Sequence, residues 1–159
     1  MEDLKNIKVR VRSLSTSSVV YSSEIRHVRR EWLREGQVIL IPADELQEVL
    51  FDQGVYNLFA MGYLGIDNPD HRELVGLDYE GSGSQMVPFD KKRAEILLLE
   101  TDLEAFKQRL ALMHGKTGEI DTLINTAYEI KNVSYDKQQI IKAVFGIDLS
   151  NLIKNGEEN

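Results

Sequence analysis

Four arginines and a tryptophan fall within nine residues, in the stretch Arg26-His27-Val28-Arg29-Arg30-Glu31-Trp32-Leu33-Arg34. Guanidinium forks grip phosphates and an indole face stacks a base, so this stretch has the composition of a nucleic-acid contact. It also has the composition of a protein interface, or of a strand whose Trp32 and Val28 enter a core while its arginines meet carboxylates. The residues that follow decide between these. Residues 1–41 carry 8 Lys and Arg against 5 Asp and Glu, whereas residues 42–90 carry 1 against 10, a net charge of −9. Phosphate repulsion acts over a Debye length of about 8–10 Å, so a chain of net charge −7 is a poor general partner for nucleic acid. The candidate residues Arg26, Arg29, Arg30, Trp32 and Arg34 are therefore read as protein-binding, or as pairing with the acidic segment. A regulator that binds nucleic acid, or an enzyme acting on it, through residues 26–34 is the alternative.

Other groupings carry less chemistry. Asp67, Asp70, Glu73, Asp78 and Glu80 offer oxygens to a divalent cation, but their spacing matches no calcium loop, and Asp67-Asn68-Pro69-Asp70 reads as a turn. His27, His71 and His114 lack metal-ligand spacing. Gly115-Lys116-Thr117 has part of a phosphate-loop ending, without the upstream glycine or the preceding strand. The serines around position 15 lack a nucleophile elbow and an evident base. No catalytic residue, cofactor, metal or small molecule is expected.

The elements that must carry these residues change character midway. Before the segment Asp78-Tyr79-Glu80-Gly81-Ser82-Gly83-Ser84-Gln85, apolar residues recur mostly at every second position; after it they recur at every third or fourth. Gly-Ser runs have little to pack and are entropically expensive to order, so the spacing predicts a flexible hinge between two units. In the first, Lys8-Val9-Arg10-Val11-Arg12 is a half-buried strand, Val19-Val20-Tyr21 a second, and residues 25–32 a third, with Val28, Arg30 and Trp32 on one face. Val38-Ile39-Leu40-Ile41 does not alternate and is expected to be buried on both faces. Pro42 opens a short helix that Gly54 stops, residues 55–61 form another closed by Gly62, and Tyr63-Leu64-Gly65-Ile66 is a terminal strand.

In the second unit, Asp90 caps a helix through Leu99. Thr101-Asp102-Leu103-Glu104 has the form of a capping box, followed by the stripe Leu103, Phe106, Leu110 and Leu112. Thr117 caps a helix bearing Ile120, Leu123, Ile124, Ala127 and Ile130, and Ser134 caps another that ends at Gly146. Asp148 begins a short last helix with Leu149, Leu152 and Ile153. The stripes are core, although a helical unit this small has little interior and one stripe is able to serve a partner as well.

The fold class is therefore α+β: a small antiparallel sheet or partial barrel with short helices over 1–78, a flexible linker over 79–89, a helical bundle over 90–155, and a frayed tail over 156–159. The chain contains no cysteine, so it depends on no disulfide, and it holds no apolar run near the roughly 20 residues of a spanning helix. The opening Met1-Glu2-Asp3-Leu4-Lys5 lacks an apolar signal core.

The segments Val9-Arg10-Val11-Arg12-Ser13-Leu14-Ser15, Val19-Val20-Tyr21, Arg29-Arg30-Glu31, Gly36-Gln37-Val38-Ile39-Leu40-Ile41-Pro42 and Glu45-Leu46 resemble small two-part proteins encoded by tailed bacteriophages of low-GC Gram-positive hosts. Leu97-Leu98 with Asp102-Leu103, residues 121–127, and Asp136-Lys137 through Gly146-Ile147-Asp148 resemble their helical half. The Gly-Ser pairs are not part of that pattern, and no catalytic residue is carried over. The resemblance implies a phage origin and a non-enzymatic virion structural or assembly accessory role, in the virion or the host cytoplasm. The partners it implies are other phage proteins or further copies in a symmetric assembly; the charge balance makes nucleic acid an unfavoured partner, and the lack of a long apolar run leaves no membrane partner expected.

Overall fold

The computed structural model describes residues 3–24, 26–78 and 86–149 of the chain. It divides into two compact units, Met1–Pro88 and Phe89–Asn159. The fold class is α+β, with small antiparallel sheets and short helices in the first unit and, among the described residues, four helices in the second.

In the first unit a single 3-10 turn, Leu4–Asn6, precedes β1 (Lys8–Ser13), β2 (Val19–Ser23), β3 (Val28–Trp32) and β4 (Val38–Pro42). Then come α1 (Ala43–Val49), α2 (Gln53–Ala60), β5 (Leu64–Gly65) and α3 (Pro69–Leu74). The alternation of β1 is realised: Val9, Val11 and Ser13 are buried, while Lys8 and Arg10 are exposed. The strands do not form one sheet. They form a three-stranded antiparallel sheet ordered β4-β1-β5 and a separate β2–β3 ladder. Val9 lies opposite Ile41, Val11 opposite Ile39, and Tyr21 opposite Arg30. As an edge strand of a sheet covered on one face, β4 is not buried on both sides: Ile41 is fully buried but Leu40 is 54% exposed.

One core joins the two ladders. Trp32 is fully buried, its ring 5.8 Å from that of Tyr21, and its indole N–H donates to the Val11 carbonyl of β1 at 3.0 Å. Ala43, Leu46 and Val49 of α1 enter the same core, as do Val55 and Phe59 of α2. Gly54 does not stop α1. The helix ends at Leu50, and Asp52 caps α2 by accepting from the Gly54 N–H at 2.8 Å. A side-chain cap offers a helix start an acceptor, which outweighs the weak helix propensity of one first-turn glycine.

The hinge expected around Gly81-Ser82-Gly83-Ser84 lies outside the described residues. The described residues after it are not linker. Met86 packs on the first core. Pro88 lies so close to Gly65 that a Cβ there would stand 2.9 Å from its ring carbons and 3.0 Å from Leu14 Cδ1. Phe89 already belongs to the second core. Gly65→Ala is expected to destabilise the first unit by about 1–3 kcal/mol, as overpacked sites do, measured by urea unfolding. An unchanged midpoint would show that Pro88 yields without strain.

The second unit comprises α4 (Lys91–Leu98), α5 (Leu103–Leu112), α6 (Thr117–Ile130) and α7 (Tyr135–Phe145). Asp90 caps α4 and Ser134 caps α7 as expected, and Gly146 closes α7 at φ +73°. Two caps differ. Asp102, not Thr101, caps α5, accepting from the Glu104 and Ala105 N–H groups at 3.0 and 3.2 Å. Lys116 rather than Thr117 holds the cap position of α6. α4 packs on α6 and α5 on α7 around Phe106, Leu110, Met113, Leu123 and Ile141. Lys137 ties α7 to α4 by donating to the Leu98 carbonyl at 2.6 Å. Leu149 is buried in this core, while the final helix expected to carry Leu152 and Ile153, and the tail over 156–159, lie outside the described residues.

Candidate functional site

Strand β3 presents the arginine-rich stretch with a period of two, and that period sorts its residues. Arg30 and Trp32 share the inward side with Val28, and Arg29 and Glu31 face solvent. Trp32 is in the core, so it cannot stack a ligand or enter a partner's surface. Arg30 meets Glu45 of α1 through a forked pair, Nη2 to Oε1 at 2.8 Å and Nε to Oε2 at 3.1 Å. Glu45 is 4% exposed, a buried carboxylate that the guanidinium compensates. Arg26 reaches the same helix, with Nη2 3.3 Å from Asp44 Oδ2 and Nη1 3.3 Å from Glu48 Oε1. Arg29 lies 3.6 Å from Glu31 in solvent, and Arg34 is exposed. Beneath this lattice the Tyr21 hydroxyl is buried, with the Arg30 guanidinium beside it. Burial, and after it the Glu45 charge, push that phenol above its ordinary range, so it stays neutral.

The lattice closes α1 over the β2–β3 ladder, a structural use of Arg26 and Arg30. Its strength is unequal along the strand. Arg30→Ala is expected to cost about 1.5–3 kcal/mol in urea unfolding, because it strips a buried carboxylate of charge-assisted bonds. Arg29→Ala is expected to change stability by less than about 0.5 kcal/mol, as exposed pairs do. Equal effects would contradict the inward and outward assignment.

The remaining acidic and histidine positions scatter. Asp67 binds Arg12 of β1 at 2.8 and 3.1 Å, and Asp78 binds Arg72 at 2.7 Å. Asn68 and Pro69 open α3. His27 lies in the β2–β3 connection, His71 in α3, and His114 after α5. Among the described residues no three His, Cys, Asp or Glu gather as a metal site would require, and no helix is long and apolar enough to cross a membrane.

The helical unit adds a surface that spacing alone did not reveal. The start of the unit, α4 and α5 enclose a groove of about 370 Å³. It is lined by the buried Phe89 and Leu97, the exposed Ile96 and Ala105, and the charged Arg93, Arg109 and Glu100. The Arg109 guanidinium lies 6.0 Å from the centre of the Phe89 ring. Ile96 of α4 and Leu99, the residue that caps its C-terminus, are each more than 60% exposed. The signal in the sequence is the run Ile96-Leu97-Leu98-Leu99, which wraps farther around a helix than one core stripe requires. In the first turn of α6, burial pushes the Glu119 carboxyl above its ordinary value against the opposing pull of Lys116 and Arg109.

No protein-family model matches the chain, and the searches of curated proteins and of solved structures likewise found no match.

Proposed function

We propose that the chain is a non-enzymatic bacteriophage accessory protein, a component of the virion or of its assembly, that docks on other virion proteins. The observation that carries this reading is the build of the chain: two units with separate cores, each keeping large hydrophobic side chains in solvent. Phe51 and Leu33 are exposed on the first, and Ile96, Leu99 and Leu112 on the second. Apolar side chains held in water on two units suit a protein that meets partners at two places. The resemblance of both halves to two-part phage proteins supplies the context. A regulator gripping nucleic acid through residues 26–34 is the weaker reading, because Arg26 and Arg30 are held by α1 and Trp32 is in the core.

Mass spectrometry of gradient-purified particles and of assembly intermediates tests the proposal. The expected result is the chain at a fixed ratio to another structural protein. Its absence from particles and intermediates alike, with the chain abundant in the same lysate, would overturn the reading.

A further inference from the structure

The most exposed large hydrophobic residue described is Phe51, at 86%. It sits in the tight connection between α1 and α2, where its N–H donates to the Glu48 carbonyl at 3.1 Å and the next N–H, of Asp52, donates to the Val49 carbonyl at 3.0 Å. The turn is therefore fixed by backbone bonds, and the ring stands out from an ordered base. Its surroundings are acidic. Asp52 follows it directly, and Glu48, paired with Arg26, precedes it by three residues.

The α4–α5 groove has the complementary character. Phe89, Ile96, Leu97 and Ala105 line it with apolar side chains, and two guanidiniums, Arg93 and Arg109, outnumber the one carboxylate of Glu100. Its volume of about 370 Å³ exceeds the roughly 150 Å³ that suffices for a benzene ring in a dry protein cavity. Arg109 already lies over the Phe89 ring, so a second aromatic ring entering the groove would meet both the first ring and a cation.

We infer that the groove of one copy receives Phe51 of a second copy, with Asp52 facing Arg93 and Arg109. The ring supplies the desolvated anchor that dominates such contacts, and the charges supply register and orientation. The knob is on the first unit and the groove on the second. The contact is therefore heterologous and repeats from copy to copy, building a ring where the rotation closes and a filament where it does not. This goes beyond docking on other virion proteins, because it names the two surfaces through which copies of the chain meet.

The test uses the full chain and light scattering after size exclusion, from low micromolar to near-millimolar concentration. Wild type is expected to gain mass with concentration, and to do so less at high salt. Phe51→Asp removes the knob and Ala105→Trp fills the groove. Each is expected to weaken association at least tenfold while keeping the wild-type circular dichroism spectrum. Mixed together, the two variants retain one intact knob and one intact groove, and are expected to form a one-to-one dimer that grows no further. Arg93→Glu, at an exposed position, provides a second groove variant should the tryptophan disturb folding; its expected mixing result is the same. A wild-type mass independent of concentration, variants that associate like wild type, or a mixture that stays monomeric would each overturn the inference. A chain found in particles only as isolated copies would overturn self-association and leave the virion reading standing. Association in solution by a chain absent from particles and assembly intermediates would overturn the virion reading alone.

Discussion

Trp32→Ala is expected to destabilise the first unit by about 3–5 kcal/mol, a large share of the roughly 5–15 kcal/mol that holds a typical domain together. The side chain is fully buried, so its removal leaves a cavity as well as a lost transfer energy. It also removes the donor to the Val11 carbonyl, which joins the β2–β3 ladder to β1, and the ring beside Tyr21 within that ladder. Trp32→Phe keeps much of the apolar volume and deletes the indole N–H, so it is expected to lie between wild type and alanine. Urea unfolding followed by far-ultraviolet circular dichroism reads both variants. The outcome also discriminates function. A tryptophan that stacked a base would cost little stability when removed and much ligand binding. Burial predicts the reverse, and a Trp32→Ala variant within about 1 kcal/mol of wild type would contradict the packing.

The parts of this fold that sequence periodicity made legible are those decided within a few residues. The alternation in β1, the side-chain caps at Asp90 and Ser134 and the glycine at Gly146 act locally, and each stands where its chemistry places it. The two faces of β3 were legible for the same reason. What Arg30 faces was not: Glu45 lies fifteen residues away and reaches it only because α1 folds back over the ladder. The division of the strands into two ladders is likewise a matter of long-range pairing. On α5 the stripe ran through Leu112, whereas the buried residue is Met113. At about 100° per residue, Met113 lies about 20° from Phe106 around the helix and Leu112 about 120° away, so angle outweighed side-chain type. The α4–α5 groove was hidden because its lining residues come from separate parts of the second unit. Only the excess of apolar residues at 96–99 betrays it.

The boundary between the units was the least legible feature, and it rests on a buried ion pair whose disruption is the second large effect. Arg72 of α3 has only 6% of its side chain exposed and Asp78 only 11%. Nε of Arg72 donates to Asp78 Oδ2 at 2.7 Å, and Nη1 donates to the carbonyls of Ile66 at 2.7 Å and Asp67 at 3.1 Å. The other carboxylate oxygen of Asp78 accepts from the Met86 N–H at 2.8 Å. One carboxylate thus joins α3 to the segment that runs on to Pro88, which explains why the first unit continues past residue 78. Asp78→Ala leaves a buried guanidinium without its counter-charge and the Met86 N–H without its acceptor, and is expected to cost about 3–5 kcal/mol. Arg72→Met, which strands the carboxylate instead, belongs in the same range. Replacing both, as Arg72→Met with Asp78→Leu, removes the two charges together and is expected to recover much of the loss, because an apolar pair needs no compensation. Trp32 is the single tryptophan of the chain and lies in the first unit, so its fluorescence follows this unit through the urea transition. With Asp78→Leu alone as the fourth corner, the double-mutant cycle separates a charge pair from simple packing. A double variant as unstable as either single one, or an Asp78→Ala variant indistinguishable from wild type, would show that the pair does not hold residues 86–88 to the first unit.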